Sequence, residues 1–249
     1  MQLQLSTWQE VEAYLGRASG IIVPTGSIEQ HGPTGLIGTD AICAETIAAR
    51  AGEQSGALVG PTIAFGVAQF NLGFPGTVNV RATTLMALVT DYVRSLALHG
   101  FDRFYFLNGH GGNIAPLRAV FQDIYAEAPP GRPGNARRVR CRLRSWWELP
   151  KVDALRKQLY GGWEGMHATP SEVAITQHAH PGAIKTAALA APVAVSPEFL
   201  REHGGDNHFD ADHHRRRFPD GRIGSDPSLA TPEQGRQLLE SAAAELALG

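Results

Sequence analysis

Short apolar runs and helically spaced apolar residues alternate along the chain. The β-branched run Ile21–Val23, closed by Pro24, has the pattern of a strand buried on both faces. The aromatic-rich segment Phe101–Leu107 predicts another strand of this kind. Between them, apolar residues recur every three or four positions from Thr84 to His99, which predicts a helix that ends at Gly100.

Other patterns predict the elements between these landmarks. Thr7 begins a capping box for an opening helix, and a helical stretch begins at Asp40. Two further strands are predicted, at Ala57–Phe65 and at Thr77–Val80. Because strand, tight loop and helix recur, we predict an α/β fold with a mostly parallel central sheet covered by helices on both faces. The loops at the carboxyl ends of such strands gather at one edge of the sheet, where ligands bind.

Composition and charge narrow the class of protein. The 249 residues, 43% of them hydrophobic, are enough for a single domain spanning 1–249. A formal net charge of −2 gives no overall field that would attract nucleic acid or an anionic membrane. With Cys43 and Cys141 as the only cysteines, a disulfide scaffold is excluded. The start of the chain has no leader pattern and no apolar run is long enough to span a bilayer, so we expect a soluble cytoplasmic protein.

The first loop carries a group of residues with metal-binding chemistry. Glu29 and His31 follow the Ile21–Val23 strand, and in extended chain side chains two positions apart point the same way. Asp40 stands at a helix start, where a carboxylate is commonly only a cap for free N–H groups. Because Glu29 and His31 are close in the sequence, Asp40 could instead be a metal ligand. Two carboxylates and an imidazole suit zinc, manganese or ferrous iron.

A glycine-rich loop follows the Phe101–Leu107 strand and carries His110 within NGHGGN. The glycines leave the backbone uncovered, so the loop can bring His110 close to a ligand. The parallel sheet places this loop beside the one with Glu29. The spacing matches neither of the common phosphate-binding patterns, which disfavours a nucleotide site.

The segment from Trp146 to Gln177 supplies further candidates. Glu172 lies in a helix that Pro170 opens, and His167 lies just ahead of that helix. Glu172 is a candidate metal ligand, and His167 is a candidate proton carrier. Three tryptophans precede or flank this motif and are either core residues or an apolar wall for substrate; they are Trp146, Trp147 and Trp163.

Two charged stretches have open interpretations. From Arg137 to Trp147, arginines alternate with apolar residues, which predicts a strand with a solvated or subunit-facing outer surface. A binding site for single-stranded nucleic acid is the alternative. The histidine- and aspartate-rich stretch 203–217 could bind metal by composition, but its lack of apolar residues predicts an exposed loop.

These motifs together resemble the creatininase family of metal-dependent amidohydrolases. The matching motifs, in the family's order, are PTGSIEQHGP and GTD within 24–40, FPGT at 74–77, NGHGGN at 108–113, the HAxxxE element at 167–172 and GRIGSDPSLATPEQG at 221–235. The resemblance implies a three-layer α/β/α fold, a homo-oligomer that is often a hexamer, and a pair of divalent metal ions. It implies that Asp40 bridges the pair, that Glu29, His31 and His110 are ligands, and that His167 transfers protons.

The chain also departs from the family pattern. Gly112 stands where creatininase has a glutamate ligand, so Glu172 is our candidate for the missing carboxylate. Thr34 and Asn71 stand where many members have histidine, which argues against creatinine as the substrate.

We therefore predict a hydrolase acting on a non-peptide C–N bond of a small amide, with zinc as the first choice of metal and manganese or iron as alternatives. A metal-activated hydroxide would attack the carbonyl, and His167 would protonate the departing nitrogen. Within the family, a peptidase or a formylamino-pyrimidine deformylase stays open, and the arginine strand would favour a phosphorylated substrate. Outside catalysis, the alternatives are a metal-binding assembly subunit and a module for single-stranded nucleic acid.

Overall fold

The computed structural model describes residues 1–127, 139–203 and 210–247. Its central sheet has four parallel strands in the order β2-β1-β3-β4. The strands are β1 (Gly20–Thr25), β2 (Leu58–Val59), β3 (Arg103–Asn108) and β4 (Arg140–Ser145). The predicted α/β fold with a parallel sheet is confirmed. Among the described residues, no helix is both long enough and apolar enough to cross a bilayer.

Nine α-helices of the described chain surround the sheet. They are α1 (Trp8–Leu15), α2 (Thr39–Ser55), α3 (Ala82–Leu98), α4 (Ile114–Ala126), α5 (Pro150–Tyr160), α6 (Pro170–Ala179), α7 (Pro197–His203), α8 (Ala211–Arg217) and α9 (Pro232–Ala247). The capping box predicted for the first helix is present, since Thr7 and Glu10 bond each other's main chain.

Alternating strand residues divide the core into the two outer layers of a three-layer fold. Ile21 and Val23 of β1 pack with α1, α3 and α4 on one face. Ile22, between them, packs with α2, α5, α6 and α9 on the other face. This division follows from the period of two along a strand and explains why the run Ile21–Val23 is apolar throughout.

Strand register places the carboxyl ends of β1, β3 and β4 side by side. Thr25 at the end of β1 pairs with Asn108, and Asn108 pairs with Ser145 at the end of β4. The loops that leave these ends carry Glu29 and His31 after β1, His110 after β3 and Trp146 after β4. The sheet therefore provides one edge on which the predicted site residues meet.

Two predicted strands are shorter or absent. The strand predicted at Ala57–Phe65 is confined to β2, because Pro61 lacks the N–H that would continue the ladder. A single bridge joins Ile63 to Thr25. The strand predicted at Thr77–Val80 forms only isolated bridges, and its partners lie in loops rather than in the sheet.

The prediction of an exposed loop at 203–217 is wrong for residues 211–217 in secondary structure, although most of their side chains are exposed. These residues form α8, and His214 is buried against the rings of Phe70 and Phe218, with centroids 5.0 and 5.4 Å away. Phe70 comes from a distant segment, so the local sequence did not reveal this contact. Residues 204–209 of the stretch lie outside the described residues.

Candidate metal centre

Four of the predicted metal ligands lie together in the protein interior. Glu29, His31, Asp40 and His110 are each at most 3% exposed. Asp40 lies in the first turn of α2, but its carboxylate does not cap the helix. Oδ1 instead lies 2.9 Å from His31 Nε2, and Oδ2 lies 3.0 Å from His110 Nδ1.

Glu172 has two roles. Its Oε1 accepts a hydrogen bond from the main-chain N–H of Thr169, which completes a capping box at the start of α6. Its Oε2 lies 3.9 Å from His31 Nε2. The helix cap thus fixes the carboxylate while one oxygen faces the cluster. This placement agrees with the prediction that Glu172 supplies the carboxylate ligand that creatininase has at the position of Gly112.

Position 112 has no space for a carboxylate. A Cβ on Gly112 would collide with the Val67 carbonyl oxygen and would lie 2.6 Å from His110 Nε2. The glycine therefore allows the His110 ring to reach Val67.

Each histidine of the cluster is oriented by a main-chain carbonyl. The pairs are His31 Nδ1 with the Glu29 carbonyl (3.1 Å), His110 Nε2 with the Val67 carbonyl (2.8 Å) and His167 Nε2 with the Gln30 carbonyl (2.7 Å). A carbonyl oxygen only accepts, so the paired ring nitrogen must carry a hydrogen. The other nitrogen of each ring faces the carboxylates, which is how metal-binding histidines are usually held.

The residues fit divalent metal ions. Three buried groups have ligand atoms within 4.8 Å of one another: Glu29, Asp40 and His110; His31, Asp40 and Glu172; and Glu29, His31 and His167. Asp40, Glu29 and His31 each belong to two of these groups, so the cluster contains residues that two ions could share. Within the described chain, Asp40 and Glu172 form ion pairs only with histidines. His110 Nδ1 lies between Asp40 Oδ2, at 3.0 Å, and Glu29 Oε2, at 3.4 Å, so three potential ligand atoms meet at one buried place.

The charges of the metal-free cluster are strongly coupled. Burial disfavours the His31 imidazolium, but Asp40 and Glu172 outweigh burial and raise the pKa of His31 to about 10. Burial would raise the pKa of Asp40, but His31 and His110 hold that pKa below its usual range. Burial raises the pKa of Glu172 to about 7 in spite of the opposing charge on His31. Without a metal ion, a proton on His31 occupies the place of a cation.

His167 adjoins this cluster with a neutral ring. Its Nδ1 lies 3.7 Å from Glu29 Oε1, and its ring centroid lies 4.6 Å from that of His31. Burial and the positive charge on His31 hold the pKa of His167 well below its usual value. Nδ1 is therefore available either to accept a proton or to bind a cation.

A cavity of about 260 Å³ opens onto the cluster. It is lined by the predicted ligands Asp40, His110 and Glu172 and by Trp146, Trp147 and Arg156. Trp146 Nε1 and Arg156 Nε are buried donors with no acceptor among the described residues. Two such N–H groups thus belong to residues that line the same cavity as the predicted metal ligands.

The three predicted tryptophans are not equivalent. Trp146 and Trp147 line the cavity, but Trp163 is not among its described lining residues and is 38% exposed. The 3-10 turn Gly161–Trp163 leaves this side chain partly in solvent, so its predicted place in the cavity wall is not supported. Arg156 was missed by the sequence analysis because an arginine in an exposed-looking helix gives no signal of its own.

The arginines at the amino end of β4 lie at the end of the sheet away from the metal cluster. Arg140 pairs with Arg103 at the amino end of β3, whereas Ser145 pairs with Asn108 beside His110. Arg140 and Arg142 line a different cavity, of about 490 Å³. Five residue steps of about 3.3 Å separate the two ends of β4, so the amino-end arginines do not face the metal cluster. Arg137 and Arg138 of the predicted strand lie outside the described residues.

Comparison with known proteins assigns the family. The family model Creatininase, described as creatinine amidohydrolase, matches residues 4–248. The chain belongs to the creatininase family. The predicted resemblance is therefore confirmed over nearly the whole chain.

The relatives of this chain are named for different reactions. A mycofactocin precursor peptide peptidase of Mycolicibacterium smegmatis is 33% identical over 74% of this chain and 69% of its own length. A creatinine amidohydrolase of Pseudomonas putida is 29% identical over 70% of each chain. Both relatives are named as hydrolases, but of different bonds.

Solved creatininase structures share the fold. A mutant creatininase aligns over 99% of this chain and 95% of its own, with a TM-score of 0.77 at 24% identity. A creatininase described as the manganese form aligns with a TM-score of 0.75 at 25% identity, over 99% of this chain and 95% of its own. The family, the α/β fold and the cluster of potential metal ligands are thus consistent with one another.

Proposed function

We propose that this creatininase-family chain is a metal-dependent amidohydrolase that cleaves a non-peptide C–N bond in a small cyclic amide, imide or formamide. The observation that carries the proposal is the sharing of Asp40 between two buried ligand groups beside a cavity of about 260 Å³. A cavity of this size suits a small substrate, since drug-sized ligands occupy about 300–1,000 Å³.

The proposed ligands are Glu29, His31, Asp40, His110 and Glu172, holding two ions per subunit. Carboxylate and imidazole ligands favour zinc first, with manganese or ferrous iron as alternatives. Such ions supply Lewis-acid chemistry, which polarises a carbonyl and lowers the pKa of water from about 15.7 to about 7.

Side chains of the protein would orient the substrate and deliver a proton to its departing nitrogen. Trp146 Nε1 and Arg156 Nε would donate hydrogen bonds to a substrate oxygen in the cavity that Asp40 also lines. His167 would take up a proton at Nδ1, because its Nε2 hydrogen is held by the Gln30 carbonyl. Its depressed pKa makes the protonated ring a strong acid, which favours delivery of that proton to the departing nitrogen.

A peptidase is the second candidate function. The mycofactocin precursor peptide peptidase is more identical to this chain than the creatinine amidohydrolase is, at 33% against 29%. The same residues would serve, with the end of a short peptide in the cavity.

A product-resolved screen tests both candidates. Protein purified with zinc or manganese is incubated with cyclic amides, formamides and short peptides, and ammonia, formate and free amino acids are measured separately. The proposal predicts turnover of a non-peptide amide by the wild type and its loss in Asp40→Asn, prepared in parallel to reveal contaminating hydrolases. Turnover confined to peptides would favour the second candidate. Equal rates in both proteins, or no hydrolysis of any class, would contradict the assignment.

We also propose a cytoplasmic homo-oligomer, with a hexamer as the form that the family resemblance suggests and with neither nucleic acid nor membrane as a partner. Exposed apolar side chains support an interface; examples are Phe65, Leu72 and Val78, which are 49%, 52% and 43% exposed. Light scattering coupled to gel filtration tests this assembly, and a monomer at micromolar concentration would contradict it.

A further inference from the structure

We infer that Gln30 and Asn71 form a relay of two amides that positions Glu29 for metal binding, and that the main chain of Gln30 orients the proton carrier His167. The sequence analysis marked Asn71 only as a departure from the family pattern and gave Gln30 no role. The inference rests on the proposed metal-dependent function, and it identifies residues that act on the site without being metal ligands.

The main chain fixes the direction of the Gln30 amide. Its Oε1 accepts a hydrogen bond from the Gly32 N–H at 2.8 Å, and its Nε2 donates to the Gly221 carbonyl at 3.1 Å. An N–H only donates and a carbonyl only accepts, so this amide has one allowed orientation. The close approach requires a glycine, because a Cβ at Gly221 would collide with Gln30 Oε1.

The orientation of the Gln30 amide determines that of the Asn71 amide, which in turn orients the Glu29 carboxylate. Gln30 Nε2 also donates to Asn71 Oδ1 at 2.8 Å, which leaves Asn71 Nδ2 to donate to Glu29 Oε1 at 3.0 Å. Asn71 is fully buried, so an inverted amide would place two acceptors face to face without water to separate them. Ser27 donates to the other oxygen of Glu29 at 2.9 Å. The carboxylate is thus held in one rotation.

The main chain of Gln30 holds the neighbouring histidine. The Gln30 carbonyl accepts from His167 Nε2 at 2.7 Å, so Nδ1 of that ring faces Glu29 Oε1. One residue therefore positions both the carboxylate, through its side chain, and the imidazole, through its main chain. A change in the Gln30 side chain alters the contact that leads to the Glu29 carboxylate and retains the main-chain contact with His167.

Cobalt(II) is a suitable probe because its visible absorption reports ligand geometry, whereas a loss of folding stability does not change that absorption. Gln30→Met keeps the length of the side chain and removes the amide, and Asn71→Leu keeps its approximate volume. Gln69→Met is the matched control. Gln69 carries an exposed amide on the same 3-10 turn as Asn71, Gln69–Gly73, so this variant removes an amide from that turn without changing the relay.

The relay predicts a roughly 10- to 100-fold weaker cobalt affinity and a shifted spectrum for Gln30→Met and for Asn71→Leu, as for other residues that orient metal ligands. Gln69→Met keeps the wild-type affinity and spectrum, even where its melting temperature falls. Wild-type affinity and spectrum in Gln30→Met or in Asn71→Leu would overturn the relay. A wild type that binds no cobalt would instead contradict the proposed function.

If the variants do not fold, a measurement on the wild-type protein tests the relay instead. Side-chain amide signals of Gln30 and Asn71, assigned by ¹⁵N NMR, are expected to shift when zinc is added, because zinc polarises Glu29 and the amides bonded to it. Amide signals that stay unchanged on zinc binding would overturn the relay.

Discussion

The His110 ring faces the Asp40 carboxylate, with Nδ1 3.0 Å from Oδ2. The opposite nitrogen of His110 is bonded to the Val67 carbonyl, so Nδ1 is the ring nitrogen that faces the carboxylate. Metal-binding histidines are commonly held in this way, with one nitrogen on a carbonyl and the other directed at the ion. This geometry supports the proposed metal binding.

Removal of the shared carboxylate should abolish both ligand groups that contain it. Asp40→Asn keeps the size of the side chain but removes its charge, so we expect loss of both ions and of detectable hydrolysis. Elemental analysis after gel filtration measures the metal content. Asp91→Asn on α3 is the matched control and should keep wild-type metal content. Retention of two tightly held ions by Asp40→Asn would contradict the bridging role.

Metal-free protein should lose stability as pH rises between about 6.5 and 10. Below 6.5 the depressed pKa values of the buried His167 and His214 act in the opposite direction. The pKa of His31 is raised from 6.5 to about 10, so its stabilising proton is fully present below 6.5 and is lost as pH rises through 10. The pKa of Glu172 is raised from 4.5 to about 7, so its contribution also falls as pH rises, through 7. Metal ions replace these protons, and stabilisation by added metal should therefore grow with pH.

Melting temperatures with and without chelator at pH 7 and pH 9 measure this effect. His31→Gln is the control, since removal of the titrating imidazole should reduce the fall in stability of the metal-free protein. A metal-free wild type that is as stable at pH 9 as at pH 7 would show that the buried proton does not substitute for the metal.

Substitution of Gly112 should weaken metal binding through His110. In Gly112→Ala, the new Cβ would displace the Val67 carbonyl that orients the ring. We expect metal affinity to fall about 10- to 100-fold, as when other groups that orient ligands are lost. Gly182→Ala, where a Cβ meets nothing within 4 Å, should bind as the wild type does in the same titration. Equal affinity of both variants would disprove the orienting contact.

Loss of the indole donor should weaken substrate binding. Trp146→Phe removes the buried Nε1 hydrogen and keeps an aromatic ring in the cavity wall. One lost hydrogen bond corresponds to about 0.5–1.5 kcal/mol, which raises KM about 2- to 12-fold. Trp8→Phe, at a residue that is 71% exposed on α1, is the control in the same steady-state assay. An unchanged KM in Trp146→Phe would exclude the indole as a substrate donor.

Much of the fold and of the cluster could be predicted from the sequence. The run Ile21–Val23 identified β1, and the carboxyl-edge rule brought His110 from a distant loop to Asp40. What could not be predicted depends on contacts between irregular segments. The Val67 carbonyl, the Gln30 amide and Arg156 have no periodicity that marks their roles, since these roles arise only when distant segments meet.

The errors have similar causes. The strand predicted at Ala57–Phe65 was too long because an apolar run does not show where Pro61 interrupts the ladder. The helix α8 was missed because the apolar environment of His214 is provided by Phe70, far away in the sequence.

Metal dependence is the central claim of this account. Protein purified without added metal should contain close to two divalent ions per chain, and removal of these ions by a chelator should abolish amide hydrolysis until zinc or manganese is restored. Full hydrolytic activity in protein shown by elemental analysis to be metal-free would contradict it.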